Sequence, residues 1–194
     1  RSPEFTVNLA LVDKIAPVAG AIFAPVGARV WFAGAQGFTT KAFGGGALPP
    51  AQDWSALRVR PQPTHGLTAL LSKSHLDDET VALLDALPIR ERRPMGSSLK
   101  FCVIAQGKAD IYPRFGPTSE WDTAAGQGVL EAAGATSKNI VNMRVILRNV
   151  ADFPRFNDTF REYFAGEKVT RTCFGGVLHR AGTDVEIDCV AMFD

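Results

Sequence analysis

Strand-like and helix-like segments alternate between residues 67 and 134, and this alternation constrains the fold more than any other feature. The run LTALLSKSH is typical of a buried strand. LDDETVALLDAL then predicts a helix, because its acidic residues fall in the first turn, where the helix dipole stabilises them. A strand at 89–92 follows, then a helix over GSSLKFCVIAQG, a strand at ADIYPRF and a helix over SEWDTAAGQGVLEAAG. This order predicts an α/β fold with mixed layers and parallel or mixed strand pairing.

The residues before this segment predict β structure of another kind. The run FTVNLALV and the two runs in PVAGAIFAPVGARVWFAG, which Pro25 and Gly27 separate, predict an antiparallel meander. Residues 44–65 are rich in Gly and Pro and have no hydrophobic period. We therefore expect a long surface loop there, with an edge strand at LRVRP.

The segments beyond Gly134 predict a strand, a helix and two closing strands. They are NIVNMRVILRNV, DFPRFNDTFREYFAG, VTRTCFGGVLHR and DVEIDCVAMF. Asp152 as N-cap, Pro154 in the first turn and Gly166 past the end delimit the helix. Its aromatic residues recur at helical spacing, which favours core packing over a cofactor role. They are Phe153, Phe156, Phe160, Tyr163 and Phe164.

Composition narrows the classes of function. The chain has 21 basic and 20 acidic residues, a balance that argues against a nucleic-acid or membrane-surface partner. No apolar run approaches the roughly 20 residues of a spanning helix, and we expect no secretory leader. Cys102, Cys173 and Cys189 have no CxxC spacing, so we expect neither a disulfide framework nor a structural zinc site. A reducing cytoplasm is the expected location.

Two interpretations of the residues around Asp122 stay open at this point. Ser119 and Asp122 have the spacing of a capping box, whereas an aspartate carboxylate also suits a hard cation. The GSS turn before Lys100 opens a helix, where free N–H groups and a cation suit an anionic ligand. Lys100 is otherwise a solvated surface lysine, and His75 a polar residue at a strand end.

Residues 5–134 resemble the C-terminal half of the inositol monophosphatase superfamily, closest to its CysQ branch of 3'(2'),5'-bisphosphate nucleotidases. The resemblance is carried by FTVNLALV, APVAGAIFAPVGARVWFAGAQG, SKSH, GSSLKFCVIAQGKADIYPRFGPTSEWDTAAGQ and VLEAAG. It implies a magnesium-dependent phosphatase in which Asp122, beside Trp121, is a metal ligand. It also implies contacts with a small anionic nucleotide at Gly96, Ser97, Ser98, Lys100, Ser72, His75, Tyr112 and Arg114.

The other metal carboxylates of that family belong to a glutamate-containing motif and a DPIDGT-type loop, which these 194 residues do not contain. One carboxylate cannot hold two or three magnesium ions, since each needs several oxygen ligands. We therefore expect that the chain alone is not a competent phosphatase.

Residues from about 128 to 194 resemble the C-terminal half of the RidA (YjgF) family of small trimeric enamine/imine deaminases. The matching text runs from VLEAAGATSKNIVNMRVILRNV to DVEIDCVAMFD. The resemblance implies that Arg171 binds a substrate carboxylate, that Cys173 lines the pocket and that Glu186 orients the attacking water. Without it, Arg171 is a surface residue, Cys173 a small buried hydrophobe and Glu186 a paired surface charge.

The two resemblances meet inside one helix, which predicts a chimera with domains at 1–134 and 135–194 and a junction within helix 119–134. The expected fold is an inositol-monophosphatase-like α/β layer fused to a RidA-like, chorismate-mutase-like β-α-β-β unit. Each half needs a cover for its apolar face, so we expect a homo-oligomer, a dimer or trimer. Two functions follow: a non-catalytic protein that binds an anion or Mg²⁺, or an enzyme that retains phosphatase or deaminase activity.

Overall fold

A computed structural model describes residues 3–14, 16–42, 47–73, 76–114, 120–135, 140–165, 169–178, 182 and 184–191. His75 and Ser119 lie outside these ranges, as do the side chains of Glu186 and Cys189. Contacts divide the chain into two units, residues 1–135 and 136–192. No helix in the described ranges is long and apolar enough to cross a membrane.

The first unit contains a five-stranded antiparallel sheet with strand order β1-β2-β3-β4-β5. Its strands are β1 Val7–Asp13, β2 Ala16–Ala24, β3 Arg29–Ala33, β4 Gly37–Lys41 and β5 Ser55–Ala56. The predicted meander is confirmed in β1 to β3, and β4 and β5 extend it. The sheet has a dominant buried face because alternate residues, such as Ile22 and Trp31, point to the core.

Helix α3, Glu120–Ala132, lies on that buried face and explains the run of small residues in its sequence. Val129 is fully buried in one cluster with Ile22 and Trp31. At Gly20 on β2, a Cβ atom would stand 2.5 Å from the carbonyl oxygen of Ala125. Only glycine at this position lets the helix approach the sheet so closely.

A parallel β-α-β segment follows in the same unit. Strand β6, Leu67–Ser72, pairs in parallel with β7, Ile89–Met95, and helix α1, Asp78–Ala86, connects them. The predicted helix start is confirmed: Asp78 and Glu79 lie in the first turn, and the Asp77 carboxylate accepts a hydrogen bond from the backbone N–H of Thr80. Helix α2, Leu99–Ala105, follows β7 directly. The predicted α/β fold is therefore confirmed.

Three local predictions are wrong. The strand expected at ADIYPRF is reduced to one bridge, between Ile111 and Ala69. The edge strand expected at LRVRP lies earlier, at β5, and Leu57 is buried in the core instead of lying in a surface loop. Asp152 occupies the N-cap position of the last helix, but its side chain makes no capping hydrogen bond. That residue has helical φ and ψ because a 3-10 turn at Val150–Asp152 precedes the helix.

The second unit contains a three-stranded sheet with order β10-β8-β9. Its elements are β8 Ile140–Leu147, α4 Phe153–Tyr163, β9 Thr170–Gly175 and β10 Val185–Ala191. Strand β8 pairs in parallel with β9 and antiparallel with β10, as a β-α-β-β segment requires. Val145 and Leu147 on β8 are fully buried.

Candidate functional site

The candidate site lies at the carboxyl ends of the parallel strands. Ser72 and Met95 are paired at the ends of β6 and β7, so Lys73 and Gly96 begin the two segments that leave the sheet. Ile111 forms a parallel bridge with Ala69, so Tyr112 and Arg114 follow a third parallel segment. In open α/β sheets, ligands bind outside the carboxyl ends of the strands.

The turn Gly96–Ser98 is held from one side by residues at the start of the chain. The Glu4 carboxylate accepts a hydrogen bond from the backbone N–H of Gly96 at 2.6 Å and forms an ion pair with Lys73 at 2.8 Å. The Thr6 hydroxyl lies 2.5 Å from the hydroxyl of Ser97 and 2.6 Å from that of Ser98. These contacts join the residues just before β1 to the parallel segment.

Ser97 has a φ of +54°, which is unusual for a residue with a side chain. Such left-handed conformations cost of order 1 kcal/mol and are kept only where the surroundings impose them. Ser97 is exposed, whereas Ser98 is 5% exposed. The turn therefore presents Ser97 at the surface while its neighbour is buried.

Lys100 lies beneath this turn and is 4% exposed, so it is not the solvated surface lysine considered above. Its Nζ donates hydrogen bonds to the backbone oxygens of Met95 at 3.2 Å and Ser97 at 2.6 Å. Burial and, to a smaller extent, the charge of Arg114 lower the pKa of Lys100 to about 8, against the opposing effect of Glu4.

Tyr112 packs against Lys100 and Phe101 of helix α2. Its ring lies 4.7 Å from Lys100 Nζ and packs edge-on against Phe101. Burial raises the pKa of Tyr112, the charge and hydrogen bond of Arg114 lower it, and the charge of Asp122 raises it. Tyr112 therefore lies next to Lys100 and within hydrogen-bond reach of Arg114.

Asp122 is exposed in the first turn of α3, where Asn8 donates a hydrogen bond to the carbonyl oxygen of Trp121 at 3.4 Å. The capping interpretation of Asp122 depends on Ser119, which lies outside the described residues. Among the described residues, no three His, Cys, Asp or Glu side chains group closely enough to hold a metal ion. The residues described here do not fit a magnesium site by themselves, and we derive no catalytic step through one.

A second cluster of candidate residues lies in the 136–192 unit. The Arg171 guanidinium on β9 stacks over the Phe160 ring at 4.1 Å and donates a hydrogen bond to Asn157 Oδ1. Its Nη1 is buried and has no hydrogen-bond partner among the described residues. Cys173, two positions along the same strand, is a partly buried free thiol. Glu186 pairs with Ile146 on β8.

The aromatic residues of α4 do less core packing than their spacing predicts. No residue of the helix is buried, and only Phe164, just past its end, is 8% exposed. The rings of Phe156, Phe160 and Phe164 contact one another along the helix. These aromatic rings therefore form a partly exposed surface that the Arg171 guanidinium contacts.

Comparison with known proteins identifies the larger part of the chain. The family model described as the inositol monophosphatase family matches residues 1–150. The chain belongs to the inositol monophosphatase family. The 3'(2'),5'-bisphosphate nucleotidases CysQ of Salmonella typhimurium and Escherichia coli are 41% and 40% identical to it over 135 residues. That alignment covers 70% of this chain and 51% of each relative, so the chain spans about half the length of these relatives.

Solved structures of the family have the same fold. CysQ from Bacteroides thetaiotaomicron is 36% identical, with a TM-score of 0.59 over 74% of this chain and 54% of that one. SuhB of Mycobacterium tuberculosis, at 20% identity and a TM-score of 0.55, is similar in fold alone; it covers 83% of this chain and 65% of that one. These neighbours support the mixed α/β architecture.

The other end of the chain resembles a second family. The family model described as Endoribonuclease L-PSP, to which the RidA proteins correspond, matches residues 125–193. The two matches overlap at 125–150, a range that includes the end of α3 and the whole of β8.

The predicted contact residues are only partly brought together. Gly96, Ser97, Ser98, Lys100, Tyr112 and Arg114 lie around one turn, with Ser72 at the same edge of the sheet, whereas Asp122 lies in the first turn of α3. Three residues that support the turn, Glu4, Thr6 and Lys73, were not predicted from the sequence. No motif marks Glu4 and Thr6, since they lie more than 90 positions from the turn. The position of Lys73 directly after a buried strand could have predicted that it lies at the site.

Proposed function

We propose that residues 1–135 form the nucleotide-binding part of a protein of the 3'(2'),5'-bisphosphate nucleotidase type. The observation that carries this proposal is the set of cations at the carboxyl ends of the parallel strands. Lys73, which is ion-paired with Glu4, follows β6, the turn with the exposed Ser97 follows β7, and Arg114 follows the bridge at Ile111. A bisphosphate nucleotide carries several negative charges, and hydroxyl and guanidinium groups are suited to bind its phosphate oxygens.

The identity of the relatives supports the choice of substrate class. The relatives of Salmonella typhimurium and Escherichia coli that are 41% and 40% identical over 135 residues are named as 3'(2'),5'-bisphosphate nucleotidases. The motif around Gly96 to Arg114 is intact in sequence, and its described residues form one neighbourhood. We therefore favour a 3',5'-bisphosphate nucleotide over a simple sugar phosphate.

Calorimetric titration of the full chain with adenosine 3',5'-bisphosphate tests the proposal. We expect binding in the micromolar range that weakens about tenfold or more in Arg114→Gln, because a charge-assisted contact is lost. Arg29→Gln, on the far strand β3, is the matched control and should bind normally. Equal affinity for both variants, or no binding by the parent chain, would contradict the proposal.

We further propose that this chain binds the nucleotide without hydrolysing it on its own, with Mg²⁺ at most weakly held at Asp122. Asp122 is the single carboxylate that the resemblance assigns to metal binding in these residues. The test is phosphate release from adenosine 3',5'-bisphosphate with and without Mg²⁺, for the parent chain and for Asp122→Asn. Magnesium-dependent release that Asp122→Asn abolishes would refute the binding-only proposal.

A second candidate function rests on Arg171. Its buried Nη1 has no described hydrogen-bond partner, and the stacked ring of Phe160 orients the guanidinium. An incoming carboxylate could satisfy that group, as in an imine deaminase. Turnover of an iminoacrylate-type substrate by the parent chain, lost in Arg171→Lys, would favour this function; no turnover by either protein would exclude it.

We also propose that the chain is a chimera of the two families and assembles as a homo-oligomer. The overlapping family matches support the first point. Exposed apolar side chains on the edge strand β1 support the second, with Val7, Leu9 and Leu11 at 58%, 72% and 64% exposure. Sedimentation equilibrium should give the mass of a trimer, if the assembly is RidA-like, or of a dimer. A monomer at all concentrations would contradict this proposal.

A further inference from the structure

One face of the antiparallel sheet packs against α3, and the other presents exposed apolar side chains. Ile22 of β2 lies in one core cluster with Val129 of α3. Successive side chains of a strand point to opposite faces, so Ala21, next to Ile22, points away from the helix. Leu9 of β1 pairs with Ala21 and shares that outward direction. We call the outward surface of β1 and β2 the open face; its residues are Val7, Leu9, Leu11, Ala19, Ala21 and Phe23.

The open face has large side chains on the edge strand β1 and small ones beside them on β2. Leu9 and Leu11 are 72% and 64% exposed. They pair directly with Ala21 and Ala19, which are partly buried. A leucine side chain extends farther from the sheet than the methyl group of alanine. The two leucines therefore form a ridge along β1, beside a lower floor of alanines on β2.

Aromatic rings bound the alanine floor on its other side. Phe32 of β3 pairs with Ala21, and Phe38 of β4 pairs with Phe32. The Trp54 ring packs edge-on against Phe32, with 4.8 Å between the ring centroids, and its Nε1 donates a hydrogen bond to the carbonyl oxygen of Pro49 at 3.0 Å. The floor is therefore a groove between the leucine ridge and an aromatic wall.

The chemistry of the open face suits an apolar partner surface. Its six side chains are hydrocarbon, with neither charge nor hydrogen-bonding groups. A contiguous exposed apolar patch of this kind marks an interaction site. With the aromatic wall, it measures about 20 Å along β1 and about 14 Å from β1 to β4, at the usual spacings of residues and strands. Covering that surface on two partners approaches the roughly 1,000 Å² that a specific interface needs.

The arrangement of ridge and floor makes the open face complementary to itself. In a dimer with a twofold axis, each residue that contacts a second position is contacted by the same position of the other copy. The ridge of one copy can therefore enter the groove of the other while the reverse contact forms at the same time. Two sheets packed face to face lie about 10 Å apart, which leaves room for one interdigitated layer of side chains.

We propose that the open face is the interface between two copies of this chain, packed sheet against sheet about a twofold axis. Leu9 and Leu11 of each copy lie on the alanine floor of the other, formed by Ala19 and Ala21. The inference rests on the proposed homo-oligomer and deepens it, because it commits to a dimer and to one surface.

Sedimentation equilibrium of the full chain and of Leu9→Lys is the first test. We expect a dimer whose dissociation constant rises about 100-fold or more in Leu9→Lys, because the interface would bury an unpaired ammonium group. Leu76→Lys is the matched control, since Leu76 is 50% exposed but lies before α1, outside the antiparallel sheet. It should leave the dissociation constant unchanged.

The outcomes of this test separate the surface from the oligomer. An oligomer that Leu9→Lys leaves intact would overturn the assignment of the open face, whereas the homo-oligomer proposal would stand. A parent chain that stays monomeric at all concentrations would contradict both proposals. That is also the result expected if the open face is covered only by the part of the relatives' length that this chain does not span.

An exchange of side-chain sizes tests the fit of ridge and floor. Ala21→Leu fills the groove, so it should weaken the dimer about tenfold or more although it adds apolar surface. Leu9→Ala combined with Ala21→Leu moves the large side chain from the ridge to the floor and should recover most of that loss. A nonspecific apolar patch would instead associate more tightly in Ala21→Leu, which would refute the proposal. Circular dichroism checks the fold of each variant, and Leu9→Lys decides where Ala21→Leu does not fold.

Discussion

Asp110 illustrates how one carboxylate can support a site without belonging to it. Arg60 donates to both of its oxygens, at 2.7 and 2.5 Å, and the backbone N–H of Thr68 donates to it at 2.7 Å. The Asp110 side chain is 7% exposed. Because it joins the segment after α2 to the start of β6, it helps to place the parallel strands whose carboxyl ends form the candidate site.

Replacement of Asp110 by Asn should destabilise the chain by about 1–2 kcal/mol. It removes the charge that Arg60 pairs with, and it leaves part of a nearly buried group unsatisfied. The measurement is urea denaturation followed by circular dichroism. Arg93→Gln is the control, since the ion pair of Arg93 with Glu91 is exposed and should contribute less than about 0.5 kcal/mol. Equal losses in the two variants would contradict this account of Asp110.

The contact between α3 and the antiparallel sheet is decided by its small residues. Gly20 on β2 lies against the Ala125 carbonyl, and Gly126 on α3 lies under the Phe101 ring, where a Cβ atom would stand 2.4 Å from a ring carbon. The stretch that carries Asp122 is therefore rich in Gly and Ala for reasons of packing. Its position on the sheet in turn sets where Asp122 stands.

Gly20→Ala should destabilise the chain by about 2 kcal/mol, because the added methyl group meets backbone, which cannot rotate away as a side chain can. Gly34→Ala is the matched control, since no atom lies within 4 Å of the Cβ position there. Thermal unfolding of both variants provides the comparison. If Gly20→Ala left the melting temperature unchanged, α3 would have to lie farther from β2 than the 2.5 Å Cβ–oxygen separation implies.

At the scale of the whole molecule, Lys100 couples the free energy of unfolding to pH. Burial and the charge of Arg114, opposed by Glu4, lower its pKa from 10.5 to about 8. Between these values the unfolded chain binds a proton that the folded chain does not. Stability due to this group therefore rises with pH, by up to about 1.4 kcal/mol per pH unit, and is lost as the pH falls to 8.

Chemical denaturation of the parent chain and of Lys100→Met at pH 7.5 and pH 9.5 isolates this effect. The parent chain should gain stability relative to the variant at the higher pH. Tyr112, the neighbouring group that titrates next, has a raised pKa and stays protonated in this range. The hydrogen bond from Lys73 lowers the pKa of Glu4, so this carboxylate stays ionised throughout the range. A constant difference between the two proteins would contradict the burial of the Lys100 charge.

Most elements and their order could be predicted from the sequence, whereas β4, β5 and the reduction of the ADIYPRF strand to one bridge could not. Period-2 and period-3.6 patterns at β1 to β3, β6, α1, α3 and α4 depend on local burial, which a single segment records. The turn before Lys100 was recognisable from its glycine and serine residues, which open a helix. The family resemblance over residues 5–134 then identified which positions to compare.

Tertiary structure alone decided how those positions act. Glu4 and Thr6 support a turn about 90 residues away, and no local pattern records a hydrogen bond over that distance. Lys100 has the sequence context of an exposed lysine on a short helix, but Tyr112 and the carbonyls of Met95 and Ser97 enclose its ammonium. Burial and partner geometry come from segments that meet only in the folded chain, so a residue type can be predicted to lie at a site without its role being known.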